Sequence, residues 1–140
     1  MRRTAATAAV ALALLLSAAV PMAAEPLRVL LLGNSYTASF GGLGGIAEAF
    51  GEARGIELET EQVAPGGFTL EAHFADLEDS RTLLAAGGWD AVVLQEQSLR
   101  PVTDRAAFER FGRLLAAEAV SAGARPVFLM TWAWRERPAD

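Results

Sequence analysis

Short apolar runs recur along the chain after residue 24. The runs at 27–32 and 91–94 consist mainly of apolar residues, which is typical of buried strands, and the run at 126–131 predicts a further strand. Residues 56–63 instead alternate between apolar and polar side chains, which predicts an edge strand with one solvated face. The pattern therefore predicts four strands.

Helically spaced apolar residues fill two of the intervals between these strands. Residues 43–54 predict a helix that ends at Gly55, because glycine readily adopts the left-handed conformation found after helices. Residues 69–86 predict a helical stretch interrupted around 79–80, and Ser80 is the expected N-cap of its second half.

The third interval predicts the longest helix, over residues 103–122. Thr103 is the expected N-cap and Gly123 the residue that stops the helix. One face of this helix is apolar and is expected to meet the sheet; it contains Phe108, Phe111, Leu114, Leu115 and Ala119.

The order β-α-β-α-β-α-β predicts a parallel sheet with right-handed crossovers and helices on both faces. We therefore expect an α/β fold, a flavodoxin-like three-layer α/β/α sandwich. Ligands bind such folds beyond the carboxyl ends of the strands, so chemistry is expected in the loops that follow the strands. The sequence contains no internal repeat and no sign of a second domain.

Residues 1–24 differ from the rest and are similar to a secretory signal peptide. Arg2 and Arg3 precede an apolar stretch, and small residues up to Ala24 offer a cleavage point, with Ala19 as a competitor. A membrane anchor is the alternative, but it needs ~20 apolar residues and this run has about a dozen. We expect a secreted or periplasmic protein comprising residues 25–140, without stable membrane insertion after cleavage.

Composition excludes several kinds of chemistry. The formal net charge is −5 over 140 residues, which argues against a surface that binds nucleic acid or an anionic membrane. The chain has no Cys and a single histidine, His73, so it cannot form a disulfide, a thiolate nucleophile or a His-rich metal site. No metal and no cofactor is therefore expected.

The loop after the first strand, Gly33-Asn34-Ser35-Tyr36-Thr37, contains a candidate nucleophile. A serine just beyond a buried strand exposes its hydroxyl at the ligand-binding edge of the sheet, near backbone N–H groups that could stabilise an oxyanion. The alternative is that Ser35 or Thr37 only caps the next helix.

The next two loops contain candidate oxyanion donors. Gly66 and Gly67 follow the second strand and could supply a backbone N–H group, or they could form an ordinary turn. The segment 95–98, Gln-Glu-Gln-Ser, follows the third strand directly, and an amide side chain there could donate to a developing negative charge. A solvated polar loop would have the same composition.

Together these segments resemble the SGNH hydrolase superfamily, also called GDSL esterases and lipases. The segment at 33–37 is similar to its first block, and WDAVVLQEQSLRP at 89–101 resembles a bacterial subgroup, as does MTWAW at 130–134. The resemblance implies a serine ester hydrolase in which Ser35 is the nucleophile, and Gly67 (or Gly66) and Gln97 bind the oxyanion. The implied substrate is a small-molecule or carbohydrate ester.

The late Asp-x-x-His block of that superfamily, which supplies its general base, is missing from the sequence. His73 lies between the second and third strands and is expected to have a structural or surface role, and Glu96 is expected to be a poor base. We therefore expect residues 25–140 to be an N-terminal portion of a hydrolase domain, inactive on its own, so that its status as an enzyme is open.

Two other functions were weighed. Residues 42–47 match the letters of a dinucleotide-binding fingerprint but begin nine residues after Gly33, too far from the strand end, so that function is rejected. A non-catalytic flavodoxin-like domain that binds an anion or a carbohydrate is the remaining alternative, since Ser35 and Thr37 could hold a phosphate at a helix N-terminus.

Overall fold

The structure, a computed structural model, describes residues 25–131. The predicted signal peptide and residues 132–134 of the MTWAW segment lie outside the described residues. The described elements follow one another in this order: β1 (Leu27–Leu32), α1 (Ser35–Ala38), a 3₁₀ turn (Ser39–Gly41), α2 (Leu43–Glu52), β2 (Leu58–Val63), α3 (Leu70–Ala75), α4 (Ser80–Ala86), β3 (Ala91–Leu94), α5 (Arg100–Thr103), α6 (Arg105–Ser121) and β4 (Arg125–Phe128).

The four strands form one parallel sheet in the order β2-β1-β3-β4. Leu32, at the end of β1, pairs with Val63 of β2 and with Leu94 of β3, and Leu94 pairs with Phe128 of β4. The predicted α/β fold class is therefore confirmed, including the position of β2 at an edge. Because the strands are parallel and in register, the loops that follow them open at one edge of the sheet.

Both faces of the sheet are covered at its centre. Leu30, Leu31 and Leu32 are consecutive residues whose side chains point to alternate faces, and all three are buried. The larger core lies on the face of Leu30 and Leu32, where side chains from three helices meet the sheet. Its fully buried members include Leu30, Leu32, Leu70, Leu84, Val92, Leu94, Leu115 and Ala119.

Helix α2 packs against β2 on the other face, at a distance that only glycine permits. A Cβ atom on Gly44 would lie 2.4 Å from the hydroxyl of Thr60, and one on Gly51 would lie 2.6 Å from the carbonyl oxygen of Ile56. The missing side chains let the helix backbone approach the strand closely.

Several predicted boundaries are wrong, and local hydrogen bonds explain the differences. The helix predicted over residues 103–122 begins later, at Arg105: Thr103 is the last residue of α5, and Asp104 caps α6 by accepting a hydrogen bond from the backbone N–H of Ala107. Ser80 is not an N-cap, because Asp79 occupies that position and Ser80 is the first residue of α4. Its hydroxyl is buried and bonds to side chains instead.

The strand predictions differ from the structure mainly at their ends. Strand β2 begins at Leu58 rather than at residue 56, and β4 ends at Phe128 rather than at residue 131. The backbone N–H of Leu129 still donates to Leu94, at 3.0 Å, so the chain follows β3 for one residue beyond β4. In the described part of the chain no helix is long and apolar enough to cross a membrane.

Two glycines of α2 provide a test of the close helix packing. Gly45→Ala should raise the free energy of unfolding by about 0.5–1 kcal/mol, because no atom lies within 4 Å of the added Cβ and alanine favours the helix. Gly51→Ala gains the same propensity but should lower it by ~1–3 kcal/mol through overpacking against Ile56. Urea unfolding of the full chain measures both, and equal effects would contradict the packing argument.

Candidate active site

In the first loop Ser35 is exposed, and its neighbour Asn34 caps the helix that follows. Asn34 is the N-cap of α1, where its Oδ1 accepts a hydrogen bond from the backbone N–H of Tyr36 at 3.3 Å. Ser35 is the first helical residue and is exposed, whereas Thr37 is buried. The alternative that Ser35 or Thr37 caps the helix is therefore wrong, and the Ser35 residue lies at the surface.

The side chain of Gln95 holds the first loop in place through hydrogen bonds. Its Oε1 accepts from the backbone N–H of Asn34 at 3.2 Å and from the hydroxyl of Thr37 at 3.0 Å, and its amide nitrogen donates to the carbonyl of Glu96. Gln95 is fully buried. A Cβ atom on Gly33 would lie 2.0 Å from Oγ1 of Thr37, so the loop fits only around glycine.

The second loop forms a tight turn that is bonded to the first. Phe68 N–H donates to the carbonyl of Pro65 at 3.2 Å, and Gly67, the third residue of this turn, has φ +75°. That conformation favours glycine, so this segment has the geometry of an ordinary turn. The side chain of Asn34 donates to the carbonyl of Phe68 at 2.9 Å, which joins the two loops next to Gly67.

Glu96 joins the third loop to the second. Its Oε1 accepts from the backbone N–H of Leu70, at 3.2 Å, and from that of Gln97, at 2.7 Å. The residue is 6% exposed, and its other oxygen, Oε2, has no hydrogen-bond partner within the described residues. Glu96 therefore anchors two loops, a role that the sequence did not indicate.

Gln97 has an amide whose orientation is fixed by its neighbours. One end of the amide lies 3.0 Å from the N–H of Leu99 and 3.2 Å from that of Arg100, and because both are donors, this end is the oxygen. The nitrogen end is therefore available to donate elsewhere. This arrangement is compatible with an oxyanion donor and also holds the turn into α5.

The structure thus brings the three predicted loops together at the carboxyl edge of the sheet. Direct hydrogen bonds run from the first loop to Gln95, from Asn34 to Phe68, and from Leu70 to Glu96. Ser35, Gly67 and Gln97 belong to these connected loops, but none of them bonds directly to another. Their shared role in binding an oxyanion stays a prediction.

His73 lies beneath the first loop and is completely buried. Its Nε2 is 2.7 Å from the carbonyl oxygen of Gly33, and its Nδ1 is 2.7 Å from the hydroxyl of Ser80, which is 2.8 Å from Oδ2 of Asp76. Burial lowers the pKa of His73 below its ordinary value, although the Gly33 carbonyl and the charge of Asp76 act in the opposite direction. Of the structural or surface role predicted for His73, this position fits the structural one.

Several charges surround the third loop. Arg100 forms an ion pair with Glu71 and lies 3.4 Å from Asp104. The hydrogen bond to Glu71 raises the pKa of Arg100 above its ordinary value.

The phosphate-binding alternative gains no support from the first loop, because the hydroxyl of Thr37 is buried and bonded to Gln95.

A cavity of about 270 Å³ opens next to Glu96 and Ser98 of the third loop, at the ends of β3 and β4. Most of its lining is apolar, and its polar residues are Glu96, Ser98 and Thr131. Three larger cavities, of about 290, 440 and 640 Å³, lie between α6 and β4, beside α4 and between α2 and β2, and residues of the three loops line none of them. In the described part of the chain, no group of three or more acidic or histidine side chains could hold a metal ion.

The described residues form a parallel α/β sheet in which an exposed serine follows β1 and an amide of fixed orientation follows β3. A protein from Slackia heliotrinireducens that is described as an SGNH hydrolase has a similar structure, with a TM-score of 0.65 and 33% sequence identity. The match covers 79% of this chain and 59% of that one. This chain belongs to the SGNH hydrolase superfamily.

Each match covers only part of the other protein's chain. TesA matches with a TM-score of 0.62 over 72% of this chain and 58% of its own, but at 19% identity it shows the fold alone. No family model matches the chain, and no curated protein matches it. The chain spans less than two thirds of the length of either structure, at 59% and 58%.

The buried acceptor of Gln95 can be tested by Gln95→Met, which keeps much of the side-chain volume and removes the oxygen. The change leaves the N–H of Asn34 without its acceptor and should lower the free energy of unfolding by ~1–3 kcal/mol. Gln62→Met, at an exposed position on β2, removes only a long hydrogen bond of 3.5 Å from the N–H of Gly44 and should stay within ~0.5 kcal/mol of the unaltered chain. Chemical denaturation compares the two, and equal losses would refute the assigned role.

Asp76 should make stability depend on acidity. The N–H of Ser80, followed by its hydroxyl and the N–H groups of Asp79 and Glu78, lowers the pKa of Asp76 from 3.8 to about 2. A lowered folded-state pKa means that its contribution is complete above about pH 4 and is lost as the pH falls towards 2. Urea unfolding at several pH values should therefore show a steeper acid loss for the unaltered chain than for Asp76→Asn, and parallel curves would contradict this.

Proposed function

We propose that this chain provides the nucleophile and the oxyanion donors of a serine ester hydrolase. The observation that supports this most is the exposed Ser35 at the start of α1, in a loop that buried hydrogen bonds hold to both neighbouring loops. A serine held in this way is pre-organised, so little ordering is needed when an ester binds.

The proposed reaction begins with attack of the Ser35 hydroxyl oxygen on the ester carbonyl carbon. A new C–O bond forms, the carbonyl electrons move to the oxygen, and a base takes the hydroxyl proton. The backbone N–H groups of Ser35 and Gly67 and the side-chain nitrogen of Gln97 would donate to the resulting oxyanion. Loss of the alcohol leaves an acyl-serine, which water then hydrolyses.

His73 is not the base in this proposal. Both ring nitrogens of His73 are engaged, with Gly33 and with Ser80, and the ring is fully buried. A serine hydroxyl is a weak nucleophile at neutral pH, and a positioned base contributes roughly 100- to 10,000-fold. Hydrolysis by this chain alone should therefore be very slow.

The cavity next to Glu96 and Ser98 would hold a small substrate group. At about 270 Å³ it lies below the ~300–1,000 Å³ usual for drug-sized ligands. A short acyl group, such as acetyl, is therefore the proposed substrate part, on a small-molecule or carbohydrate alcohol. The signal-like residues 1–24 favour a substrate outside the cytoplasm.

Added imidazole provides the test, because it can act as the missing base in solution. The full chain should hydrolyse p-nitrophenyl acetate no faster than Ser35→Ala without imidazole. With imidazole, the unaltered chain should show an extra rate that is absent from Ser35→Ala, after the reaction of imidazole with the ester is subtracted. Release of p-nitrophenolate, followed by its absorbance, measures both rates.

Ser121→Ala is the control, since it removes an exposed hydroxyl of α6 that lies outside the three loops and outside the proposed substrate cavity. It should retain the imidazole-dependent rate. No difference between the unaltered chain and Ser35→Ala at any imidazole concentration would refute Ser35 as the nucleophile. A Ser35-dependent rate without imidazole would instead show that the chain contains its own base.

A further inference from the structure

His73 contacts two of the three loops from a position that no solvent reaches. Its Nε2 lies 2.7 Å from the Gly33 carbonyl, two residues before Ser35. Its ring meets the ring of Phe68 edge to face, with centroids 5.1 Å apart, and Phe68 directly follows Gly67. One side chain of α3 therefore touches both the segment before the candidate nucleophile and the segment after a candidate oxyanion donor.

The hydrogen-bond partners define the form of the ring. A carbonyl oxygen can only accept, so Nε2 must carry a hydrogen to bond to Gly33. Burial lowers the pKa of His73, which favours the neutral ring, and a neutral ring with a hydrogen on Nε2 has an acceptor at Nδ1. The hydroxyl of Ser80, 2.7 Å away, can donate to that acceptor.

Ser80 connects this arrangement to Asp76. Its single hydroxyl hydrogen lies within reach of both Nδ1 of His73 and Oδ2 of Asp76. When the hydroxyl donates to His73, Asp76 still accepts the backbone N–H of Ser80 at 3.0 Å. The turn between α3 and α4 therefore keeps Ser80 in place for either partner, and the ring has a fixed support on its Nδ1 side.

We propose that His73 is a positioning residue for the candidate nucleophile: its Nε2–H holds the Gly33 carbonyl, and its ring supports Phe68 beside Gly67. The histidine acts through the first and second loops and does not touch the reacting atoms. The proposal rests on the proposed function for the role of Ser35. Its test uses no ester, so the two can fail separately.

The first experiment uses the unaltered full chain. His73 is the only histidine, so ¹⁵N NMR of histidine-labelled protein gives a single, unambiguous set of ring signals. We expect one neutral form at neutral pH, with the hydrogen on Nε2 and protected from exchange. A hydrogen on Nδ1, or rapid averaging between the two neutral forms, would overturn the proposal.

The second experiment measures backbone amide exchange in variants. His73→Phe keeps an aromatic ring beside Phe68 but removes the donor to Gly33, and it should raise exchange in residues 33–38 roughly five- to hundredfold relative to the strands. His73→Gln, whose amide nitrogen reaches about as far as Nε2, should restore part of the protection. Leu84→Ala, which opens the same core without touching Gly33, should raise exchange broadly.

These variants separate positioning from packing. Selective loosening of residues 33–38 in His73→Phe, with partial recovery in His73→Gln, supports the proposal. A uniform increase like that of Leu84→Ala, or no recovery with glutamine, would overturn it, because a ring that only fills space needs no donor. Should His73→Phe fail to fold, the NMR measurement on the unaltered chain still decides.

Discussion

The geometry of the candidate active site depends on one buried acceptor, the side-chain oxygen of Gln95. It receives the backbone N–H of Asn34 and the hydroxyl of Thr37, and so fixes the residues on both sides of Ser35. A buried N–H group without a partner is costly, so the first loop has little freedom to adopt another course. The end of β1 in the parallel sheet sets where the first loop begins, and the hydrogen bonds to Gln95 set the path of its backbone.

The sequence predicted the sheet well because buried parallel strands leave a strong pattern. Strands β1 and β3 have the predicted bounds, since their apolar runs end where the backbone leaves the sheet. The short helices α1 and α5 were not predicted, because they depend on hydrogen bonds accepted by Asn34 and by Leu99 that no periodicity reveals. The same cause explains the error at Thr103, where the competing cap, Asp104, is the next residue.

The site was predicted in outline, but the sequence could not assign individual polar residues to its interior. Gln95 and Gln97 are two residues apart, and either could have faced the core or the solvent once the strand ended. The structure buries Gln95 and Glu96 and leaves Gln97 with a directed amide. Glu96 has a buried oxygen without a partner in the described part of the chain, which is an energetic cost that a hydrogen-bond donor placed there would remove.

The burial of the single histidine also determines how the surface charge of the molecule responds to acidity. Between about pH 6.5 and 8 the side chains that ordinarily titrate are histidine and cysteine, but the chain has no cysteine and burial lowers the pKa of its one histidine. The formal charge of −5 is therefore nearly constant across that interval, the terminal amine aside. The electrostatic attraction or repulsion of a charged substrate is correspondingly constant there, and a change of rate with pH would report a base rather than the surface.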